Sequence, residues 1–228
     1  MKHIGIVGCS AEGAALCYRT ICSEGAAQLG AHKHPEISMH TPPLSEYVRY
    51  LEEQDLSGVA ELMLDSARRL ERAGADFLIC PDNTIHQAFD PVREQSPLPW
   101  LHIAEEVASV AHELGYRKVA LLGTRWLVES SVYPEKLEAR GIGWVRPEPD
   151  EITEIARIIM EELVPGRFRT ESISYFQALI EHMKVRGADS VLLGCTEIPI
   201  IISDENSALP TLDSTRILAR AALRSATN

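Results

Sequence analysis

The chain has 228 residues, 45% of them hydrophobic and 24% charged, with a formal net charge of -11 and a pI near 5.2. That length can bury an adequate core as one large domain or two small ones, and the acidic balance, with no basic stripe, excludes nucleic acid or an anionic membrane as the main partner. A small-molecule partner is the better expectation.

In chain order, "MKHIGIVGCS" opens with an apolar run too short for a signal peptide or a membrane span, so a cytoplasmic protein is expected. Short apolar runs ending in Gly, Asn, Ser or Thr predict strands near 3–8, 36–40, 76–81, 99–103, 118–123, 142–146, 189–194 and 210–213. Segments of helical period fill most of the spaces, the signature of an α/β protein with parallel sheets. In "HKHPE", His32 and His34 read as solvated side chains rather than metal ligands. "SGVAELMLDSARRLERAGAD" predicts a helix with an apolar stripe through Leu62, Ala67, Leu70 and Ala73, a basic last turn and a stop at Gly74. The five cysteines, Cys9, Cys17, Cys22, Cys80 and Cys195, form no CxxC pair and no zinc-ligand spacing, which fits a reduced compartment without disulfides or structural zinc.

The chain also repeats itself. "RAGADFLICPDNT" superimposes without a gap on "VRGADSVLLGCTE", setting Gly74 on Gly187, Asp76 on Asp189 and Asp82 on Cys195, an offset of 113. "KHIGIVGCS" matches "RKVALLGTR" with Gly8 on Gly123, offset 115, and "LPWLHI" matches "LPTLDS" with Pro99 on Pro210, offset 111. Three anchors in one order imply two copies of an α/β unit. Ligands of parallel sheets sit beyond the carboxyl ends of the strands, so two copies related by a pseudo-twofold would point Asp82 and Cys195 at one shared cleft.

Two proton-accepting groups on opposite sides of a small substrate suit stereoinversion at a carbon acid, one removing the α-proton and the other returning a proton to the opposite face. Asn83-Thr84 and Thr196-Glu197 follow the two groups and offer polar side chains and helix-start N–H groups for a substrate carboxylate. Taken singly, each residue has a plainer explanation: Asp82 as the N-cap of a helix starting at Asn83 or Thr84, and Cys195 as a small buried hydrophobe. As mates in a repeat they favour the chemical one.

On these residues the sequence resembles the aspartate/glutamate racemase family, whose relatives include hydantoin racemase and arylmalonate decarboxylase. The resemblance runs along "IGIVGCSAEGAALCYR", "VALLGTRWLVESSVYPEKLEARGI" and "GCTEIPIII", the last being most specific. It implies two pseudo-symmetric Rossmann-like halves, catalysis without pyridoxal phosphate or metal, a homodimer, and an active site between the halves with Asp82 and Cys195 as its catalytic pair. By the same matching, Asn83, Thr84 and Thr196 would bind the substrate carboxylate, and Thr124 and the loop at Ser10 would line the cleft.

The departure from the family is Asp82, which stands where cysteine or threonine is usual; Cys80, two residues earlier, would fit only by breaking the ungapped repeat. The loop "GCSAEG" is one residue short of common family versions, with Ala14 in place of a frequent threonine. A cation for a distal carboxylate could come from Arg49 or from Arg167 in "PGRFR", although both also read as solvated surface arginines. The expected organisation is a first half of residues 1–100 plus 213–228 and a second half of 101–212. The expected function is cofactor-independent racemisation of aspartate, glutamate or a related small amino acid. The alternatives are decarboxylation or isomerisation of a small dicarboxylate with Cys195 as proton donor, and a catalytically silent carboxylate binder.

Overall fold

The computed structural model describes every residue, Met1–Asn228. The chain divides into two compact units, Met1–Glu106 with Thr215–Asn228, and Val107–Ser214. No helix is long and apolar enough to cross a membrane.

In the first unit, β1 (Ile4–Val7), β2 (Ile37–His40), β3 (Phe77–Ile79) and β4 (Trp100–Leu101) form an all-parallel sheet in the order β2-β1-β3-β4. Parallel strands need crossovers, and helices on the sheet faces bury continuous apolar runs. Ile4, Ile6, Phe77 and Ile79 accordingly pack with Cys17 and Ile21 of the helix Ala11–Leu29 and with Leu218, Ala219 and Ala222 of the C-terminal helix Ser214–Thr227. Two strands are shorter than their sequence pattern. β3 stops at Ile79, two residues before Pro81, which has no N–H to donate to a ladder, and β4 stops at Leu101 because Ile103 already starts the helix Ile103–Glu113.

The helix Leu56–Arg72 is placed as its pattern predicts, and two of the four expected stripe residues, Ala67 and Leu70, face the core. Val59, Met63, Ala67 and Leu70 are buried, whereas Leu62 is half-buried and Ala73 exposed. The face that meets the sheet is rotated by about a residue, and it carries a polar member: Ser66 is fully buried, with its Oγ donating to the Leu62 carbonyl at 3.0 Å and lying 2.9 Å from His40 Nδ1.

The second unit repeats the first. Its strands β5 (Lys118–Leu122), β6 (Gly143–Val145), β7 (Ser190–Leu193) and β8 (Thr211–Asp213) pair in parallel in the order β6-β5-β7-β8. Its core joins Ala120, Leu122, Val191 and Leu193 to Ile155, Ile158, Phe176, Ile180 and Met183. The helix Pro149–Ile158 runs on into a π-helical turn, Ile159–Leu163.

The ladders follow the sequence repeat residue by residue. Ile4 pairs with Phe77 and Val119 with Ser190; Leu78 pairs with Trp100 and Val191 with Thr211. Offsets of 115, 113 and 111 therefore carry one sheet register onto the other. The same carboxylate clamp starts both: Asp76 Oδ2 accepts from the His3 N–H at 2.7 Å, and Asp189 accepts from the N–H groups of Arg117 and Lys118 at 2.8 and 3.1 Å. Just before each clamp, Gly74 and Gly187 end a helix at φ +91°, a left-handed conformation that any side chain would strain.

Candidate active site

In the first unit the strand-end group is Asp82, half-buried in the loop after β3. Its Oδ2 accepts from the Ser10 N–H at 3.2 Å, and Ser10 in turn caps the helix Ala11–Leu29 by accepting from the Gly13 N–H. The carboxylate thus reaches the start of a 19-residue helix that lies 72 residues earlier in the chain, where the positive end of the helix dipole favours an anion. Asn83 and Thr84 follow, both buried, and open a 3₁₀ turn, Thr84–Ala88.

Cys80, next after β3, is fully buried, and desolvation, reinforced by the charge of Asp82, pushes its thiol pKa well up, which disfavours the thiolate. Tyr47 is also fully buried, and burial pushes its phenol pKa up, with the charges of Cys80, Cys9 and Asp82 adding to the effect. His86 Nδ1 donates to the Asp82 carbonyl at 2.8 Å, which fixes that ring's tautomer, and the ring packs edge-on against His102 at 4.7 Å. Sequence reading missed Tyr47, which reaches the site only through packing, and His86, whose signal was its place four residues after Asp82.

In the second unit the corresponding group is Cys195, 8% exposed, in the loop after β7. Its Sγ donates to Glu197 Oε2 at 2.8 Å, and the Thr196 hydroxyl donates to the same oxygen at 2.8 Å. Glu197 is itself 5% exposed, so the thiol's hydrogen bond is made to a buried side chain. Sequence reading took Glu197 only as a polar neighbour; the signal available was its position two residues after the thiol. Backbone crowding sets this loop: a Cβ on Gly194 would lie 2.6 Å from the Leu122 carbonyl oxygen.

Thr124 stands at the end of β5, next to this loop. Leu122 pairs with Leu193, the Gly194 N–H donates to the Leu122 carbonyl at 2.8 Å, and two residues past that pair stand Thr124 and Cys195. Thr124 caps the helix Arg125–Val128 by accepting from the Leu127 N–H. It also edges a cavity of about 180 Å³ lined by Arg125, Trp126, Ala156, Ile159 and Met160.

The helices after the two strand-end groups are short: the 3₁₀ turn at Thr84 and a four-residue helix, Ile198–Ile201. Individual N–H groups and side chains, rather than an accumulated helix dipole, are what they offer a ligand. The two candidate arginines are both exposed. Arg49, on the helix Leu44–Glu52, is held by Glu46 and Glu53 at 3.6 and 3.1 Å and lies 3.9 Å over the Tyr50 ring. Arg167 lies in the connection after the π-helical turn, its N–H donating to the Glu162 carbonyl. No group of His, Cys, Asp and Glu side chains is clustered so as to hold a metal ion.

Comparison with known proteins agrees with this architecture. The family model for Asp/Glu/hydantoin racemases matches residues 5–222. The broad specificity amino-acid racemase RacX of Bacillus subtilis (strain 168) is 23% identical over 189 residues, covering 82% of this chain and 80% of RacX. Among solved structures, a candidate Asp/Glu racemase from Yersinia pestis superimposes with a TM-score of 0.92 at 31% identity over the whole of both chains. An aspartate racemase homologue from Pyrococcus horikoshii OT3 does so with a TM-score of 0.86 at 29% identity, again over the whole of both chains. The chain belongs to the Asp/Glu/hydantoin racemase family of isomerase enzymes.

Proposed function

We propose that this protein racemises a small amino acid without a cofactor, Asp82 and Cys195 exchanging protons with opposite faces of the α-carbon. The observation that carries the reading is the Cys195 thiol donating to a buried Glu197 carboxylate at 2.8 Å, at the strand end equivalent to that of Asp82. In one direction, the thiol proton passes to Glu197 and the resulting thiolate takes the α-proton. Protonated Asp82 then delivers a proton to the other face, leaving its carboxylate. In the reverse direction Asp82 takes the α-proton, the Cys195 thiol supplies one, and Glu197 returns its proton to the thiolate. Asn83, Thr84 and Thr196, all buried and polar, would hold the substrate carboxylate and the charge that spreads onto it in the transition state. Ser10 positions Asp82, and Thr124 borders the bound substrate. Aspartate, glutamate and related small amino acids are the substrate class, and a homodimer is the proposed assembly, which light scattering would test.

The test is α-proton exchange in D₂O, followed by NMR and chiral analysis, with each enantiomer of aspartate, glutamate and a panel of neutral amino acids. Exchange that yields the opposite enantiomer and is lost in both Asp82→Asn and Cys195→Ser supports the reading. Absence of exchange with every amino acid sinks it.

A second reading rests on the asymmetry of the pair. Cys80 is fully buried while Cys195, 8% exposed, bonds the Glu197 carboxylate, which suits Cys195 as a single proton donor to a carbanion left by decarboxylation. Carbon dioxide release from a malonate-type acid, dependent on Cys195 but not on Asp82, would favour it.

A further inference from the structure

We propose that the substrate's side chain is apolar, of about leucine, methionine or phenylalanine size, and that it lodges in the cavity beside Thr124. This rests on the racemase reading and departs from its acidic substrates in favour of apolar ones. The cavity belongs wholly to the second unit and measures about 180 Å³, with Trp126, Ala156, Ile159 and Met160 as its walls and Thr124 at its edge. Thr124 follows β5 as Cys195 follows β7, one strand apart in paired register, so a substrate whose α-carbon meets the thiol has the cavity within a side chain's reach.

The charges around it point the same way. The one cation in the lining, Arg125, directs its guanidinium at Thr153 Oγ1, 2.9 Å away. A neighbouring cavity of about 330 Å³ is polar, but its own acids hold its cations. Arg157 bonds Glu154 at 2.6 Å and Glu162 at 2.8 Å, and Arg169 lies 3.9 Å from Glu162, whose other oxygen accepts from the Ser172 hydroxyl. Arg49 is likewise held by Glu46 and Glu53. A carboxylate bound at Arg157, Arg169 or Arg49 would have to displace one of these acids; Arg125 is bonded to a neutral hydroxyl, and the other walls of its cavity, Trp126, Ala156, Ile159 and Met160, are apolar. The helix Pro149–Ile158 passes into its π-helical turn at Ile159, and the cavity lies across that junction with Ala156 on one side and Met160 on the other. π-Turns recur at functional sites.

The deciding variant is Ala156→Phe, which fills the cavity from a half-exposed position; thermal unfolding verifies that it folds. In D₂O exchange by the wild type, kcat/KM for leucine and methionine should exceed that for aspartate and glutamate by at least tenfold. Ala156→Phe should lower the leucine-to-alanine ratio of kcat/KM by at least about tenfold, within the range known for a misfit of one or a few methylenes in an apolar pocket. Faster turnover of aspartate or glutamate by the wild type, or an unchanged ratio in Ala156→Phe, overturns the proposal. Should no amino acid exchange at all, the racemase reading falls, and saturation-transfer NMR with leucine decides separately on the cavity. Binding to the wild type that is lost in Ala156→Phe upholds it, and equal or absent binding to both overturns it.

Discussion

The two strand ends that the repeat makes equivalent hold Asp82 and Cys195 by different means. Asp82 is fixed by a backbone N–H at the start of a 19-residue helix, whereas Cys195 is fixed by a carboxylate two residues along its own loop, and the helix beside it, Arg125–Val128, has only four residues. A long helix with its N-terminus at the site favours the charged form of a carboxylate. At the other end a buried carboxylate accepts the thiol's hydrogen bond and orients it. One fold repeated twice has thus come to hold an acid at one end and a thiol at the other, each with a support matched to its chemistry.

Changes at the strand ends should produce the largest effects. Cys195→Ala is expected to lower exchange by at least about a thousandfold and Asp82→Asn by at least about a hundredfold, within the usual range for losing a positioned acid or base. Equal losses would mean that the two groups share the work evenly. A silent Asp82→Asn would leave the thiol alone in the reaction.

The supports come next. Glu197→Gln removes the acceptor of the Cys195 proton and should cost about ten- to a hundredfold in kcat, while Ser10→Pro, which deletes the N–H donated to Asp82, should act on that end alone. Comparing exchange started from each enantiomer separates the two ends.

A third test uses pH. Burial and the Asp82 charge hold the Cys80 pKa above its ordinary value, so the thiolate is scarcer at every pH than in an exposed cysteine. Iodoacetamide followed by mass spectrometry should leave Cys80 unmodified in the folded protein up to about pH 9, near and just above the ordinary cysteine pKa, and label it only after unfolding. Modification of Cys80 at neutral pH would return it to contention as the first catalytic group.

The smallest effects belong to the strand-start clamps. Asp76→Ala, which loses one accepted N–H, should destabilise the fold by about 1 kcal/mol, and Asp189→Ala, which loses two, by about 2 kcal/mol, measured by urea unfolding. If the order were reversed, the second N–H of Asp189 would contribute nothing.

Much of the fold was legible because its determinants are local or repeated. Alternation of strand and helix patterns predicted parallel sheets, and three ungapped matches carried enough information to equate the two sheet registers. The helix Leu56–Arg72 shows the limit: its existence follows from period and cap, but which face is buried depends on what lies beneath it, and His40 drew Ser66 inward in place of Leu62. The site divides in the same way. Asp82 and Cys195 stood out as repeat mates, and Glu197 was within reach of a spacing argument. Tyr47 and the N–H of Ser10 were not, since each lies tens of residues from Asp82 in sequence.

The sequence by itself determined that there are two α/β units, where their strands begin, and which two residues end the equivalent strands, because strand periodicity, helix stops and internal repetition are written in near neighbours. Only the tertiary structure decided which thiol bonds a buried acid, which thiol is fully desolvated, which arginines are already paired and where an apolar cavity opens. Those properties depend on desolvation and on contacts between residues far apart in the chain, and they exist only once the sheets and helices have packed.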